Sequence, residues 1–445
     1  MAISPARVAA YQILQRVERE DAYASELLHS ARYAKLSAAD HSLATELVMG
    51  VLRWRSSLDS EIGRQSSLPL PKLDAEILTS LRLATYQLIF LDRIPARAAI
   101  YDSVELVKQA RKRSAASFTN AVLRKLGKAK PHRRGAPEIE DSKTISELAA
   151  QSAHPEWLVE RWVHEFGFEH AVKICRHDQR IPETAIRITD RADEEELKAD
   201  KVELAPGCLL SSARRVLAGT VKGASAFRQG RIAIQDEASQ LVALLLGRGS
   251  KILDCCAAPG GKTRVLREQN PSATIVATEL HPHRARLLRN LVPAANVHVI
   301  AADARALPLT ELFHRVLVDA PCSGTGTLAR NPEIKWRLTS KDLADLRTRQ
   351  IAILSASMDR VAPHGRLVYS TCSLEPEENQ AVVEAALSSN RSFRLLNCSD
   401  RLQELRVGGE LVWKDLASLT IGPYLRTIPG VHPCDGFFAA IMEKA

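Results

Sequence analysis

Two cysteines stand at the ends of two predicted strands, where a sulfur atom can act as a nucleophile. Cys322 follows the strand-like run that ends at Asp319, and Cys372 lies in Ser370-Thr371-Cys372-Ser373. A thiolate can add covalently to an electron-poor ring. Both cysteines come after a glycine turn, residues 254–262, of the kind that holds a nucleotide-like cofactor between a strand and a helix. Together these features indicate an enzyme that brings a substrate and a cofactor to two thiols.

The elements that must position these residues begin at about residue 231. From there the sequence alternates between strand and helix patterns, which predicts a largely parallel, doubly wound α/β sheet. The candidate strands cover 251–254, 274–278, 297–300, 315–319, 366–370 and 437–442. Ligands of such sheets bind at the carboxyl ends of the strands. That edge carries Asp254, Glu279, Asp303, Asp319 and Cys372, so we expect these side chains to line one cleft.

The spacing along this edge suits a nucleoside. Gly260 and Gly261 allow a close approach of the backbone. Glu279, eighteen residues after Gly261, can accept hydrogen bonds from ribose hydroxyls, and Asp303 can reach a base. The same residues fit ATP poorly, because Cys256 replaces the glycine that a P-loop needs five positions before Gly261. A second glycine run, 324–329, matches only the loose dinucleotide pattern and does not follow the first strand of its unit, which disfavours an NAD-linked enzyme.

The N-terminal part repeats apolar residues every three to four positions, which predicts an all-helical domain over residues 1–130. Ser4-Pro5 begins its first helix, and later helical patterns cover 39–63, 74–92, 96–113 and 115–127. Residues 131–144 contain proline, glycine and basic residues and are predicted to be a linker. A central segment, 145–230, opens on a helix at 154–158 and becomes mixed, with β pattern around 184–188. Residues 231–445 form the catalytic domain.

Composition limits the class of protein. A chain of 445 residues with 45% hydrophobic and 25% charged residues is long enough for about three globular domains. The N-terminus lacks a signal peptide, and no run approaches the roughly 18 apolar residues of a membrane span, so we predict a cytoplasmic protein. We also expect a monomer. The eight cysteines have neither zinc-site spacing nor disulfide density, and His281-Pro282-His283 lacks further ligands, so no metal is expected.

The net charge of +9 has a single source. Residues 111–134 contain nine Lys or Arg and no acidic residue, which leaves 52 basic and 52 acidic residues in the rest of the chain. A localised excess of this kind suits a phosphate backbone. A solvated helix end followed by a flexible linker would give the same pattern. The thiol motifs favour the first interpretation, with RNA as the partner.

The motifs around the thiols resemble those of the Sun family of RNA 5-methylcytosine methyltransferases. The matching runs are 254–263, 319–326, 369–373 and 375–379, and the runs 235–240 and 435–438 resemble the segments that enter and leave the family's catalytic domain. The helical N-terminus resembles the NusB-like RNA-binding domain, which within this family points to the ribosomal RNA small subunit methyltransferase B branch. The resemblance implies a Rossmann-like class I methyltransferase domain, preceded by a small α+β central domain that binds RNA.

The resemblance also implies a role for each site residue. Cys372 is the nucleophile that adds to ring carbon 6 of cytosine, and Cys322 assists release; the residues by themselves do not tell the two apart. Asp319 hydrogen-bonds the cytosine edge and borders the cofactor. S-adenosylmethionine rests on the turn, with Glu279 at the ribose and Asp303 at the adenine; the residues of the turn are Cys256, Ala257, Ala258, Pro259, Gly260, Gly261 and Lys262. The expected substrate is small subunit ribosomal RNA.

Two alternatives stay open at this stage. The same chemistry could act on transfer RNA, and a non-catalytic NusB-like RNA-binding factor would carry the same helical domain.

Some residues near the motifs could have a purely structural role. Lys262 could serve only to pair with a nearby carboxylate, and Cys255 departs from the aliphatic residue usual in the family. The other cysteines, 175, 208, 398 and 434, are expected to be structural, as are Trp157, Trp162 and Phe166 at helical spacing.

Overall fold

The computed structural model describes residues 3–20, 22–128, 139 and 142–445. These residues form two compact units. Unit 1 comprises Met1–Ile181 and Leu328–Arg337, and unit 2 comprises Pro182–Thr327 and Leu338–Ala445. Most of the predicted linker, 131–144, lies outside the described residues. The predicted division at residues 130, 144 and 230 stays a prediction.

Unit 1 is built from helices that bury one apolar face each. Its first ten helices are α1 Pro5–Glu20, α2 Ala24–Leu28, α3 Ala38–Arg53, α4 Arg55–Gln65, α5 Ala75–Phe90, α6 Ala96–Gln109, α7 Ala116–Lys128, α8 Ile145–Ser152, α9 Glu156–Phe166 and α10 Phe168–Asp178. Ile13, Leu47 and Leu83 are fully buried in the core that α1, α3 and α5 share. The predicted helical N-terminus is therefore confirmed.

Two details of the helical pattern differ from the sequence prediction. The run 39–63 is two helices, because the chain leaves helical geometry at Trp54. His154 lies before α9 rather than on it, since Pro155 follows and disfavours helical backbone at the preceding residue. Trp162 is buried as expected, whereas Trp157 and Phe166 are half-buried.

Unit 2 contains two sheets and most of the remaining helices. Its helices are α11 Arg191–Ala199, α12 Ser225–Arg228, α13 Glu237–Leu245, α14 Gly261–Gln269, α15 Pro282–Leu291, α17 Ser340–Met358, α18 Gln380–Ser389 and α19 Cys398–Val407. The helix between α15 and α17 in the chain, α16 Ile334–Arg337, belongs to unit 1. The strands of the first sheet are β1 Thr184–Arg187, β2 Glu203–Pro206, β3 Ala213–Ala218 and β4 Ala233–Ile234. They pair antiparallel in the order β2-β3-β1-β4, and β1 is the strand expected around 184–188.

The second sheet has nine strands. They are β5 Lys251–Cys255, β6 Thr274–Glu279, β7 Val297–Ala301, β8 Phe313–Asp319, β9 Val361–Thr371, β10 Phe393–Leu396, β11 Thr420–Ile421, β12 Tyr424–Thr427 and β13 Phe437–Lys444. Their order is β11-β12-β13-β9-β8-β5-β6-β7, with β10 beside β13. The strands from β5 to β9 run parallel, and β13 is antiparallel to β9. The predicted α/β Rossmann-like fold is confirmed, while β10, β11 and β12 were missed because they are short.

The parallel strands are buried on both faces, as expected when helices cover a sheet. Ile252, Leu317 and Val368 belong to the core on one face, and Leu253, Val316 and Leu367 to the core on the other. Because side chains alternate along a strand, this packing sets the direction of every residue up to the strand end. Across the described ranges no helix is long and apolar enough to span a membrane.

Candidate active site

The two thiols meet at the carboxyl ends of β8 and β9. These strands are parallel neighbours, with Asp319 in register with Ser370, so the loops that follow them emerge side by side. The Sγ atoms of Cys322 and Cys372 are 3.3 Å apart. Both side chains are partly accessible. Sequence order separates these residues by fifty positions, and it is the strand pairing that brings them together.

Asp319 is held between a cation and a hydroxyl. The Lys262 ammonium donates to its Oδ2 at 2.7 Å, and the Ser370 hydroxyl donates to its Oδ1 at 2.9 Å. Lys262 also lies 5.0 Å from the centroid of the Phe437 ring, a cation–π distance. Lys262 thus pairs with a carboxylate, and that carboxylate belongs to the predicted site.

The charges around the thiols are unequal. The pKa of Cys322 is raised well above its usual value, first by its hydrogen bond with Cys372, then by burial and by the charge of Cys372. Burial alone would lower the pKa of Lys262, but the Asp319 carboxylate raises it, with a contribution from Cys372. Cys322 is therefore favoured as a protonated thiol, and a fixed positive charge lies near Cys372.

A second carboxylate, Glu378, ties the two thiol loops together. It is fully buried, and it accepts hydrogen bonds from the Ser323 backbone N–H at 2.8 Å, from the Ser323 and Ser373 hydroxyls, and from Gln350 Nε2 at 2.8 Å. Ser323 follows Cys322 directly and Ser373 follows Cys372. Glu378 lies within the motif run 375–379, but no role was predicted for it; its place six residues after Cys372 was the available signal.

The glycine turn leads from β5 into α14. Cys256 has φ 59° and Gly260 has φ 115°, the left-handed region that favours glycine. A Cβ on Gly260 would lie 2.6 Å from Leu288 Cδ1, so the turn packs closely on α15. Asp254, at the base of the turn, is fully buried and accepts from the Thr263 hydroxyl at 2.6 Å. Burial raises its pKa to about 7.

The two further acidic residues lie after β6 and β7. Glu279 ends β6, is 4% exposed, and its Oε1 accepts from the His281 backbone N–H at 3.1 Å. Asp303 is more accessible, and the guanidinium and backbone N–H of Arg305 donate to its carboxylate. These hydrogen bonds lower the pKa of Asp303. The two residues lie where the edge of the sheet was predicted to carry them.

This edge fits a nucleoside cofactor with an anionic group. The first N–H groups of α14 have no intrahelical partners, and such a helix start favours negative charge. Gly260 and Gly261 present no side chain there, and a Cβ on Gly261 would lie 3.1 Å from Gln235. A carboxylate such as Glu279, which accepts from one backbone N–H, can still accept hydrogen bonds from hydroxyls.

The segments predicted to enter and leave the catalytic domain are in contact. Asp236 Oδ2 accepts from the Asp435 backbone N–H at 3.2 Å.

The remaining cysteines lie outside the loops that carry Cys322 and Cys372. Cys175, Cys398 and Cys434 are buried and Cys208 is half-buried. Cys255 is buried against the Ser357 hydroxyl at 3.4 Å, and burial raises its pKa to about 12. In the part of the chain that the structure describes, no three His, Cys, Asp or Glu side chains gather as a metal site.

The basic stretch divides into described and undescribed residues. Arg111, Arg113, Arg124, Lys125 and Lys128 are exposed. Lys112 pairs with Asp74 at 2.9 Å, so one of the predicted charges is neutralised within unit 1. The predicted contributions of residues 130, 133 and 134 lie outside the described residues.

Comparison with solved structures identifies the fold. The crystal structure of PH0851 aligns with a TM-score of 0.80 at 24% identity and covers 100% of both chains. NSun6 from Pyrococcus horikoshii, solved with SFG, aligns with a TM-score of 0.55 at 20% identity and covers 66% of this chain and 99% of that chain. These likenesses, with the parallel strands and the glycine turn after β5, define a methyltransferase fold joined to a helical unit.

Sequence comparison identifies the family. Residues 241–443 match the family model described as 16S rRNA methyltransferase RsmB/F, and residues 4–128 match the NusB family. A probable ribosomal RNA small subunit methyltransferase B of Bacillus subtilis is 35% identical, with 98% of each chain covered. The chain belongs to the RsmB/F methyltransferase family. The resemblance inferred from the motifs is thereby confirmed.

Proposed function

We propose that this protein transfers a methyl group from S-adenosylmethionine to carbon 5 of a cytosine in small subunit ribosomal RNA, through a covalent adduct with Cys372. The observation that carries the proposal is the 3.3 Å contact between the Cys322 and Cys372 sulfurs at the ends of neighbouring strands. Carbon 5 of cytosine is a poor nucleophile. Addition of a thiolate at carbon 6 makes it electron-rich, and a second group must later remove the carbon 5 proton so that the sulfur can leave.

The surroundings of the two sulfurs support different roles for them. The Cys322 thiol, whose pKa is raised, can donate its proton in a hydrogen bond to the Cys372 sulfur 3.3 Å away. The Lys262 ammonium adds a favourable charge. Once Cys372 is bound to carbon 6, Cys322 lies beside it; after it gives its proton to solvent, the Cys322 thiolate can accept the carbon 5 proton, and the electron pair left at carbon 5 expels the Cys372 sulfur. We therefore assign attack to Cys372 and release to Cys322.

Asp319 is suited to hold the substrate base. Its carboxylate is fixed by Lys262 and Ser370, and its side chain is 28% exposed, so it still faces the accessible side of the site. A carboxylate fixed in this way can accept from the amino group of cytosine without reorganising during the reaction. The same position borders the turn of Lys262, which agrees with the expectation that Asp319 lies close to the cofactor.

S-adenosylmethionine supplies an electrophilic methyl group when it is bound. The residues that would hold it are those of the turn from Cys256 to Lys262, with Glu279 toward the ribose and Asp303 toward the adenine. The fit of this edge to an anionic nucleoside supports the assignment. The solved Pyrococcus horikoshii protein, which shares the fold, was crystallised with SFG.

Ribosomal RNA is proposed as the substrate from the family and from a basic groove in unit 1. The Bacillus subtilis relative is named for small subunit ribosomal RNA. Between α6 and α7 lies a cavity of about 540 Å³ lined by Glu105 and by five cationic or aromatic side chains, Arg97, Tyr101, Lys108, Arg124 and Lys128; Glu105 pairs with Lys108 at 2.6 Å. All five side chains are exposed, and Tyr101 shows 42% of its surface. Cations that follow a groove beside an aromatic ring suit single-stranded RNA.

The test is transfer of labelled methyl to unmodified small subunit ribosomal RNA, followed by a denaturing gel for protein–RNA adducts. Wild type should label the RNA, Cys372→Ala should not, and Cys322→Ala should accumulate a covalent adduct. Cys208→Ala, which changes a half-buried cysteine outside the site, should match wild type. Full activity of Cys372→Ala would overturn the mechanism.

The position and type of the modified base separate the remaining possibilities. Bisulfite sequencing of the labelled RNA should find the methyl group on a cytosine carbon 5. Labelling of transfer RNA in place of ribosomal RNA would change the substrate but keep the chemistry. RNA binding without any methyl transfer would favour the alternative of a NusB-like binding factor.

A further inference from the structure

A segment of ten residues connects the thiol loop to unit 1. The chain leaves unit 2 after Thr327, five residues beyond Cys322, and residues 328–337 belong to unit 1; we call them the strap. The chain then returns to unit 2 at Leu338 and begins α17 at Ser340. The strap lies within the part of the sequence that matches the methyltransferase family model, 241–443. It is nevertheless packed among helices of the NusB-matching part.

The strap satisfies the ends of helices in unit 1. Trp336 Nε1 donates to the Leu52 carbonyl at 2.6 Å, and Lys335 Nζ donates to the Arg53 carbonyl at 3.0 Å, both at the end of α3. The last carbonyls of a helix have no intrahelical donors, and a cation there is favoured by the helix dipole. The strap therefore completes the end of α3.

Two more helices are completed in the same way. Glu333 Oε1 accepts from the Ala24 N–H at 2.8 Å, at the first residue of α2. Arg337 donates to the Val17 carbonyl at 3.1 Å, in the last turn of α1, and to the Ala22 carbonyl at 2.5 Å. In the opposite direction, Arg53 donates to the Ala329 carbonyl at 3.1 Å. The strap thus both donates and accepts hydrogen bonds, and its partners lie in three helices, α1, α2 and α3, or between α1 and α2. These contacts fix the strap along its whole length.

Lys335 lies in a closed polar cluster rather than at a surface. The residue is 1% exposed. Burial lowers the pKa of Lys335 to about 7, and the nearby charge of Asp178 offsets part of this effect. His154 Nε2 lies 3.4 Å from Asp178 Oδ2, and Gln179 Nε2 donates to the same Arg53 carbonyl at 3.3 Å. A buried charge is tolerated only when it is paired and hydrogen-bonded, so the strap residue and its helices depend on one another.

Between Cys322 and the strap, the loop is fixed within unit 2. Ser323 N–H donates to Glu378, Gly326 N–H donates to the Cys372 carbonyl at 2.9 Å, and the Gly436 N–H donates to the Gly326 carbonyl at 2.7 Å. Gly326 is one residue before Thr327 and two residues before the strap begins. Only Thr327 separates this anchored run from the first residue of the strap.

We propose that the strap steadies the loop that carries Cys322, with Lys335 and Trp336 acting as positioning residues. The proposal rests on the proposed function for the role of Cys322 in release. Loosening the strap should disturb Cys322 more than Cys372, because the strap begins six residues after Cys322 in the same loop, whereas Cys372 directly follows β9. Release of the methylated RNA should therefore suffer more than formation of the adduct.

The experiment uses the full-length chain and two strap variants, Lys335→Met and Trp336→Phe. Lys335→Met keeps a similar length and removes the charge and the hydrogen bond; Trp336→Phe removes only the hydrogen bond to Leu52 and part of the ring. Lys35→Met is the matched control, since Lys35 is an exposed lysine of unit 1. Alkylation rates of Cys322 and Cys372 are measured by peptide mass spectrometry, and hydrogen exchange is measured over residues 320–337.

We expect exchange over residues 320–327 and the alkylation rate of Cys322 to rise at least about threefold in both strap variants, with Cys372 changing less and the control unchanged. In methyl transfer, the fraction of protein trapped as adduct should rise while the rate of adduct formation changes less than about twofold. Faster exchange confined to 328–337, with Cys322 alkylated at the wild-type rate, would overturn the proposal. So would a proportional loss of adduct formation and release.

The two proposals fail in different ways. If wild type transfers no methyl group, the proposed function is wrong, but alkylation and exchange still decide whether the strap controls the thiol loop. If wild type is active and neither strap variant alters Cys322, the strap proposal alone is wrong. Trp336→Phe keeps the test valid if Lys335→Met does not fold.

Discussion

Three carboxylates near the thiols differ in what surrounds them, and the difference sets what each can do. Asp319 is paired with Lys262 and partly exposed, so it can meet a substrate. Glu378 is fully buried but accepts from four donors, so it acts as a fixed junction between two loops. Asp254 is fully buried with a single hydroxyl donor to its Oδ2. Residue type alone would have treated the three alike.

The first prediction concerns Asp254 and pH. Burial raises its pKa from an ordinary 3.8 to about 7, so the native state favours the protonated form. The stability that this group contributes is complete below about pH 3.8 and is lost as pH rises through about 7. Asp254→Asn, which cannot ionise, should therefore gain melting temperature over wild type as pH rises from 4 to 7, with a constant difference above that.

Thermal unfolding monitored between pH 4 and pH 9 checks this expectation. Asp345→Asn, an exposed aspartate on α17, serves as the control and should show no such trend. A difference between Asp254→Asn and wild type that is the same at every pH would show that Asp254 does not change its ionisation on folding.

The thiols and Asp319 could be predicted because their motifs are continuous in sequence. The role of Glu378 could not, since its hydrogen bonds from Ser323 and Gln350 come from residues fifty-five and twenty-eight positions away. Lys262 was predicted either to belong to the cofactor turn or only to pair with a carboxylate, and its 2.7 Å contact with Asp319 shows that it pairs with a carboxylate of the predicted site. Distances of this kind depend on which strands become neighbours.

At the scale of elements, the site depends on how closely the loop after β8 approaches the loop before β13. A Cβ on Gly326 would lie 2.2 Å from the Gly436 carbonyl oxygen, a backbone atom that cannot rotate away. The Gly326 N–H also donates to the carbonyl of Cys372. This glycine is required by close approach, and the loose dinucleotide pattern to which it belongs has a packing explanation.

We predict that Gly326→Ala destabilises unit 2 by about 1–3 kcal/mol, the usual cost of overpacking, and lowers methyl transfer by more than the loss of folded protein explains. Denaturant unfolding and activity of the folded fraction measure the two effects. Gly223→Ala is the matched control, because a Cβ there meets nothing within 4 Å. Equal stability of the two variants would mean that the loop after β8 shifts freely.

The helical elements carry the second surface relevant to function, the basic groove between α6 and α7. We predict that Arg124→Gln with Lys128→Gln weakens binding of all RNAs alike and reduces the slope of log affinity against log salt by about 1 to 2, because each phosphate contact releases counterions. Both residues are exposed on α7 and line the groove.

Binding titrations at several salt concentrations check this, with Lys35→Gln and Arg180→Gln as a control that removes the same number of exposed charges from unit 1. An equal change of slope in the control would show a general charge effect rather than contacts in the groove. A loss confined to one RNA sequence would mean that these side chains select bases.

At the scale of the whole molecule, unit 1 is not one continuous stretch of the chain, since it includes a segment from within the methyltransferase part. The strap comes from the middle of the methyltransferase part and is packed in unit 1. A fragment of residues 182–445 would contain the strap without the carbonyls of Leu52 and Arg53 that its side chains need. Lys335 and Glu333, each 1% exposed in the full chain, would lose their partners.

We predict that trypsin cuts such a fragment rapidly after Arg330, Lys335 or Arg337, while the full chain resists at these sites. Mass spectrometry of timed digests identifies the cuts. Cleavage after Lys414, an exposed site in unit 2, provides the internal control and should proceed at the same rate in both proteins. Equal resistance of the strap in the fragment would mean that unit 2 can hold the strap alone.

The sequence by itself determined the features that local pattern encodes. Alternation and helical spacing fixed the parallel strands and the helical N-terminus, residue types fixed the glycine turn and the thiol motifs, and counting located the excess of positive charge. The tertiary structure decided the 3.3 Å contact of the two sulfurs, the junction at Glu378 and the capture of the strap by unit 1. Each of these joins residues far apart in the chain, and such pairings follow from the packing of complete elements, which no local periodicity records.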